Sequence, residues 1–125
     1  MSEQGSGGPA TWETVRRFAL ALPGVEEGTS YGTPAFRVKG KLFTRLREDG
    51  DSLVLKLNGY NVALLLETDP ETFYVTDHYR GYPIVLARLS VIRPTQLREL
   101  LEEAWRLAAP KRLVAQYDQQ PPPPS

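Results

Sequence analysis

Apolar positions along the chain follow two periods, and the changes between them mark the elements. After Thr11, a residue suited to an N-cap, Trp12, Val15, Phe18, Ala19 and Leu22 recur at helical spacing until Pro23-Gly24 stops the run. Arg16 and Arg17 fall off this stripe and are expected to face water. From Ala35 the period drops to two. Phe36 and Val38 point one way and Arg37 and Lys39 the other, which reads as a half-buried strand. Gly40 breaks it, Lys41 to Arg47 resume the pattern, and Glu48-Asp49-Gly50-Asp51 has turn composition. Leu53, Leu55 and Leu57 then alternate with Val54 and Lys56, completing a predicted three-stranded antiparallel meander.

Val62 to Glu67 is a short apolar run between Asn58-Gly59 and Thr68-Asp69-Pro70. It is read as a short helix, although a strand fits the same pattern. Phe73-Tyr74-Val75-Thr76 is aromatic and β-branched, hence a strand. The loop Asp77-His78-Tyr79-Arg80-Gly81 follows, and Pro83 opens a strand to Leu89. The clearest helix starts at Pro94, with Leu97, Leu100, Leu101, Ala104, Trp105 and Ala108 on one face. Glu102 and Arg106 form an i,i+4 pair on its polar side. Pro110 ends the helix, and residues 111–115 are expected to form a short final turn.

Two amphipathic helices bracketing strands predict an α+β fold: a two-layer sandwich with an antiparallel sheet of about five strands and both main helices on one face. The other sheet face is left free for function. The domain is expected over residues 11–116, between a Gly/Ser-rich disordered tail at 1–10 and a Pro-rich disordered tail at 117–125, whose four prolines are either a solvated tail or a polyproline ligand.

Composition narrows the function classes. At 125 residues one domain is expected, and no apolar stretch is long enough to span a membrane. The absence of cysteine excludes disulfides, thiolate metal sites and a cysteine nucleophile. The first ten residues lack the basic and apolar regions of a secretory signal, so a cytoplasmic location is expected. Fifteen basic residues balance fifteen acidic ones, which removes the global field of a strong nonspecific nucleic-acid binder.

The segments Leu22-Pro23-Gly24-Val25-Glu26-Glu27 and Tyr31-Gly32-Thr33-Pro34-Ala35-Phe36-Arg37-Val38-Lys39-Gly40-Lys41 resemble the opening of the MmcQ/YjbR family. Phe73-Tyr74-Val75-Thr76, His78-Tyr79 and the stretch from Glu103 to Leu113 extend the resemblance, in the family's order, over about residues 20–113. Asp77 stands where the family pattern has proline, and Ile84 where it has tryptophan. The resemblance implies a frataxin/CyaY-like sheet backed by two helices and a double-wing DNA-binding surface, the wings being hairpins. The family's biochemical role is unassigned.

Charge on the strands is the sharpest chemical feature. Six basic residues against three acidic ones lie between Ala35 and Leu57, and all three acids fall in the 48–51 turn. Arg37, Lys39, Arg45, Arg47 and Lys56 are candidates for phosphate contacts, with His78, Tyr79 and Arg80 at the second hairpin tip and Lys111 and Arg112 extending the surface. The expected partner is DNA, bound weakly and with strong salt dependence. The alternative is a non-catalytic binding module for a small anionic ligand or a protein partner, with Arg37, Lys56, His78 and Tyr79 in one concave site. The same cations also read as solvated positions of amphipathic strands. His78 beside Asp77 is a candidate general base, but no nucleophile motif accompanies it; a turn histidine packed on Tyr79 is the simpler reading. The first helix carries Glu13 alone, so no acidic metal cluster is expected and no cofactor is implied.

Overall fold

Thr11 caps the first helix as its sequence position suggests. Its hydroxyl accepts from the Thr14 amide, and the Thr14 hydroxyl accepts from the Thr11 amide, so two otherwise orphaned donors are satisfied together. This helix, α1, runs Trp12–Leu20 and buries Val15 and Ala19, while Trp12 stacks on Phe36 with ring centroids 5.2 Å apart. The computed structural model describes residues 10–119, so the expectations for the two tails at 1–9 and 120–125 lie outside the described residues.

The strands are β1 (Val25–Ser30), β2 (Thr33–Val38), β3 (Lys41–Leu46), β4 (Ser52–Lys56), β5 (Phe73–Tyr74) and β6 (Ile84–Arg88). They form one sheet, with order β1-β2-β3-β4-β6-β5 and every neighbouring pair antiparallel. The sheet therefore has six strands among the described residues, one more than the pattern suggested. The additional strand, β1, is an edge with most of its residues exposed. Its Val-Glu-Glu-Gly-Thr-Ser sequence carries no alternation, because an edge strand held by hairpin pairing needs no buried face.

Both hairpins around β2 close through two-residue turns, Tyr31-Gly32 and Lys39-Gly40, with positive φ throughout: 54° and 79° in the first, 51° and 82° in the second. Two successive left-handed residues match the right-handed twist of the flanking strands. Gly40 takes this conformation freely, whereas Lys39 is held there at some backbone cost. A bulge on β3 adjusts the register. Phe36 faces Thr44 and Arg37 faces Leu42, so Phe43 is the extra residue. Arg45 is thereby set opposite Ala35 and Val54, on the face away from the helices.

The remaining helices are α2 (Gly59–Thr68), α3 (Pro94–Ala108) and α4 (Lys111–Gln119). Asn58 caps α2 by accepting from the Asn61 amide, and Pro94 opens α3. Phe36, Val38, Phe43, Leu53, Leu55, Phe73 and Val85 form the sheet's contribution to the core, met by Val15 and Ala19 of α1 and Leu97, Leu101 and Trp105 of α3. Each large apolar side chain removed from water contributes roughly 1.5–3 kcal/mol. The Trp105 indole donates to the Pro23 carbonyl at 2.9 Å, which ties α3 to the loop after α1.

The expected final turn is instead a full helix. Tyr117 packs edge-on against Trp105 at 5.0 Å and Arg106 holds Asp118, so the folded chain continues through Gln119 and past the boundary expected at 116. Gly24, with φ of +72°, makes this docking possible. A β-carbon there would come within 3.0 Å of a Leu113 methyl.

Candidate functional site

The sheet face opposite the helices is not open. Val54, Leu86 and Ile84 are apolar on that side, and the loop of residues 75–83 folds over them through Tyr79, which is buried. Arg45 is buried beneath the same cover. Its Nη2 donates to the Tyr79 hydroxyl at 3.0 Å, and its Nη1 reaches the Thr33 hydroxyl and the Leu46 carbonyl at 3.3 Å each. Tyr31 lies over the guanidinium at 5.0 Å, and Glu48 is 3.9 Å away. Arg45 and Tyr79, expected as surface contacts, are thus a structural pair. Burial needs partners for a guanidinium, and the loop supplies one.

Arg37 lies across Gly28 and donates to the Thr29 carbonyl at 3.0 Å, covering part of the exposed edge strand. Arg47 lies beside the 48–51 turn, and its Nε is buried without a partner. Burial alone would raise the Asp49 carboxyl, but hydrogen bonds from the Asp51 amide and from the Ser52 hydroxyl and amide, with Arg47 nearby, leave it lowered.

At the second hairpin, Asp77 pairs with Arg80 at 3.0 Å and leaves His78 without its carboxylate. His78 is exposed and rests edge-on against Tyr79 at 4.8 Å. The general-base arrangement that the sequence permits is therefore not formed. Among the described residues, no group of three His, Cys, Asp or Glu side chains is placed to hold a metal ion.

Lys39 does not share the side of β2 with Arg37. β2 ends at Val38, and the left-handed turn carries Lys39 toward α4. There it lines a cavity of about 310 Å³ with Pro110, Arg112, Leu113 and Gln116. On the other side of Gly40, Lys41 lines a second cavity of about 210 Å³ with Leu42, Lys56, Ala104, Leu107 and Ala108. The two cavities flank one hairpin turn and share the corner between α3 and α4. Lys56 lines this cavity, while Arg37 is held at the Thr29 carbonyl and Tyr79 at Arg45, so the residues expected to share one concave site have different partners here.

This end of the molecule gathers Lys39, Lys41, Lys56, Lys111 and Arg112. None of the five has a carboxylate within 4.0 Å among the described residues, and the same holds for Arg17, Arg37, Arg47, Arg88, Arg93 and Arg98, while Arg16, Arg45, Arg80 and Arg106 do have one. Lys41 was missing from the candidates read from sequence. It was one of the six basic residues counted between Ala35 and Leu57, and its place after a Lys-Gly pair becomes informative once that pair is known to be a hairpin turn.

The helix that brings Lys111 and Arg112 here is held by ionisable groups. Arg106 donates to Asp118 at 2.6 and 2.9 Å and to Glu102 at 3.1 Å. Hydrogen bonds from Arg106 keep the Asp118 carboxyl below its ordinary value, while burial, with Glu102 adding to it, pushes the Tyr117 phenol up. A lowered carboxyl gives stability that is present above its unfolded value near ~3.9 and lost as pH falls through the folded value. A raised phenol gives stability present below its unfolded value near ~10 and lost as pH rises through the folded one. Thermal stability is therefore expected to lose the Asp118 contribution in acid and the Tyr117 contribution in strong alkali. Melting curves across pH would check this, with Asp118→Asn flattening the acid limb and Tyr117→Phe the alkaline one.

Fold and site together define a two-layer α+β domain with a partly covered sheet face and a cationic end. The YjbR family model matches residues 20–107. Uncharacterized proteins of Mycobacterium tuberculosis and Mycobacterium bovis are 31% identical over 123 residues, covering 86% of this chain and 95% of each relative. The crystal structure of a Deinococcus radiodurans protein with the family-model domain DUF419 superposes with a TM-score of 0.69 at 20% identity, covering 82% of this chain and 80% of that one, a likeness of fold. The chain belongs to the YjbR family. The matched residues include Lys39, Lys41 and Lys56 and stop short of Lys111 and Arg112. No helix among the described residues is long and apolar enough to cross a membrane.

Proposed function

We propose that this domain binds DNA through phosphate contacts at its cationic end, with the β2–β3 hairpin turn acting as a wing. The observation that carries this reading is the group of Lys39, Lys41, Lys56 and Arg112 lining two cavities around one hairpin turn, with Lys111 beside Arg112 at the start of α4, none of them with a carboxylate within 4.0 Å among the described residues. Unpaired surface cations exchange counterions for phosphates, so their binding is driven by ion release and independent of sequence. A protein with zero net charge has no long-range field to add, and the interaction is accordingly weak. Arg37, Arg45, Tyr79 and Arg80 already have partners within the fold and take no primary part; His78 stays at the periphery.

Three to five phosphate contacts would give a log–log salt slope of roughly −3 to −4.5. Fluorescence anisotropy with a labelled duplex at several salt concentrations tests this. The double reversal Lys39→Glu/Arg112→Glu is expected to weaken low-salt affinity at least tenfold, and Arg37→Ala to change it less than about twofold. No binding of the unaltered protein at low salt, or equal binding by the double reversal, would overturn the proposal.

A further inference from the structure

The cavity under Lys41 and Lys56 has an apolar floor. Leu42 enters it from β3, and Ala104, Leu107 and Ala108 enter from successive turns of α3. Leu107 is 55% exposed, an uncommon position for leucine on a helix whose other large apolar side chains, Leu97, Leu100, Leu101 and Trp105, are buried. The i,i+3 and i,i+4 spacing of Ala104, Leu107 and Ala108 puts all three on one helix face, where the two alanines leave room beside the leucine.

The polar groups are equally one-sided. Both lysines are exposed and without a carboxylate within 4.0 Å among the described residues. Glu103, on the neighbouring part of α3, is engaged by the side-chain amides of Asn58 and Asn61 at 2.8 to 3.3 Å. At about 210 Å³ the space is smaller than the roughly 300–1,000 Å³ of drug-sized pockets.

From this we infer that the cavity is a binding site for a small amphiphilic monoanion: a compact apolar body that covers Leu42, Ala104, Leu107 and Ala108, and one carboxylate held between the Lys41 and Lys56 ammonium groups. Each half of the ligand answers one half of the lining. The apolar body removes exposed Leu107 surface from water, and the carboxylate gives both lysines the partner the fold withholds. A phosphate diester lacks the apolar body, so this site is distinct from the nucleic-acid reading, although it shares two lysines with it and does not depend on it.

The test is a ¹⁵N-resolved NMR titration of the full chain with three probes: 4-phenylbutyrate, the uncharged 4-phenylbutanol, and acetate. Saturable shifts centred on Leu42, Lys56, Ala104, Leu107 and Ala108 are expected with phenylbutyrate, and affinities at least about tenfold weaker for the alcohol and for acetate. Leu107→Ser, an exposed substitution that leaves the core intact, and Lys41→Ala/Lys56→Ala should each weaken phenylbutyrate binding at least fivefold. The inference is overturned by shifts located elsewhere, by three probes of equal affinity, by no saturable shift, or by variants that bind as the parent does. Because no DNA is present, its failure leaves the nucleic-acid proposal standing, and the converse holds.

Discussion

Replacing Trp105 with alanine is expected to destabilise the domain by about 3–5 kcal/mol, the usual cost of emptying a large buried aromatic site. Trp105 is fully buried, its indole nitrogen is held by the Pro23 carbonyl, and Tyr117 rests on its face. Against a typical total of about 5–15 kcal/mol, such a loss leaves a domain close to its folding threshold. The substitution also removes the surface on which α4 docks. Lys111 and Arg112 then lose their position beside Lys39, so stability and DNA affinity should fall together. Urea denaturation measures the first effect and anisotropy the second. A stability loss below about 1 kcal/mol would show that the indole is not the keystone between α1, α3 and α4.

Arg45→Ala gives the opposite combination. The guanidinium is buried between Tyr31 and Tyr79, and its removal takes a charge-assisted hydrogen bond from the Tyr79 hydroxyl and the packing of a long aliphatic stem from the sheet. A loss of roughly 2–3 kcal/mol is expected, with residues 75–83 exchanging amide hydrogens faster as their anchor weakens. DNA affinity of the folded variant should stay within about twofold of the parent at temperatures well below its melting point. A variant of normal stability and abolished binding would return Arg45 to the role its charge alone suggests.

Much of the fold was legible because burial writes a period into the chain. The stripes of α1 and α3, the alternation of β2, the turn at Asp49-Gly50 and the Pro94 start all recur in the structure, whereas β4 alternates in facing but is buried from Ser52 to Leu55. Elements that bury little left little trace. β1 is exposed along most of its length, and α4 buries no residue fully, so neither has a full apolar stripe. The free sheet face was misjudged for a related reason. Val54 and Leu86 looked like ordinary strand residues, and nothing local shows that the loop of residues 75–83, which precedes Leu86 but is remote in sequence from Val54, covers them with Tyr79.

The site was legible as a set of cations but not as an arrangement. Alternation puts Arg37 and Lys39 on one side of a strand only while the strand continues, and a left-handed turn at Lys39 ended it one residue early. One bulged residue, Phe43, likewise decided where Arg45 would point. Which arginines are engaged depends on contacts between distant segments, such as Arg37 with Thr29 or Arg45 with Tyr79, that spacing does not encode.

The cationic end is tested most directly by mapping where a short DNA duplex touches the ¹⁵N-labelled protein at low salt. Shifts confined to the turn at residues 39–41, to Lys56 and to residues 110–116, fading together as salt rises, are the expected result. Shifts centred instead on Arg37, Arg45 and Tyr79 would place the contact on the sheet face and contradict it.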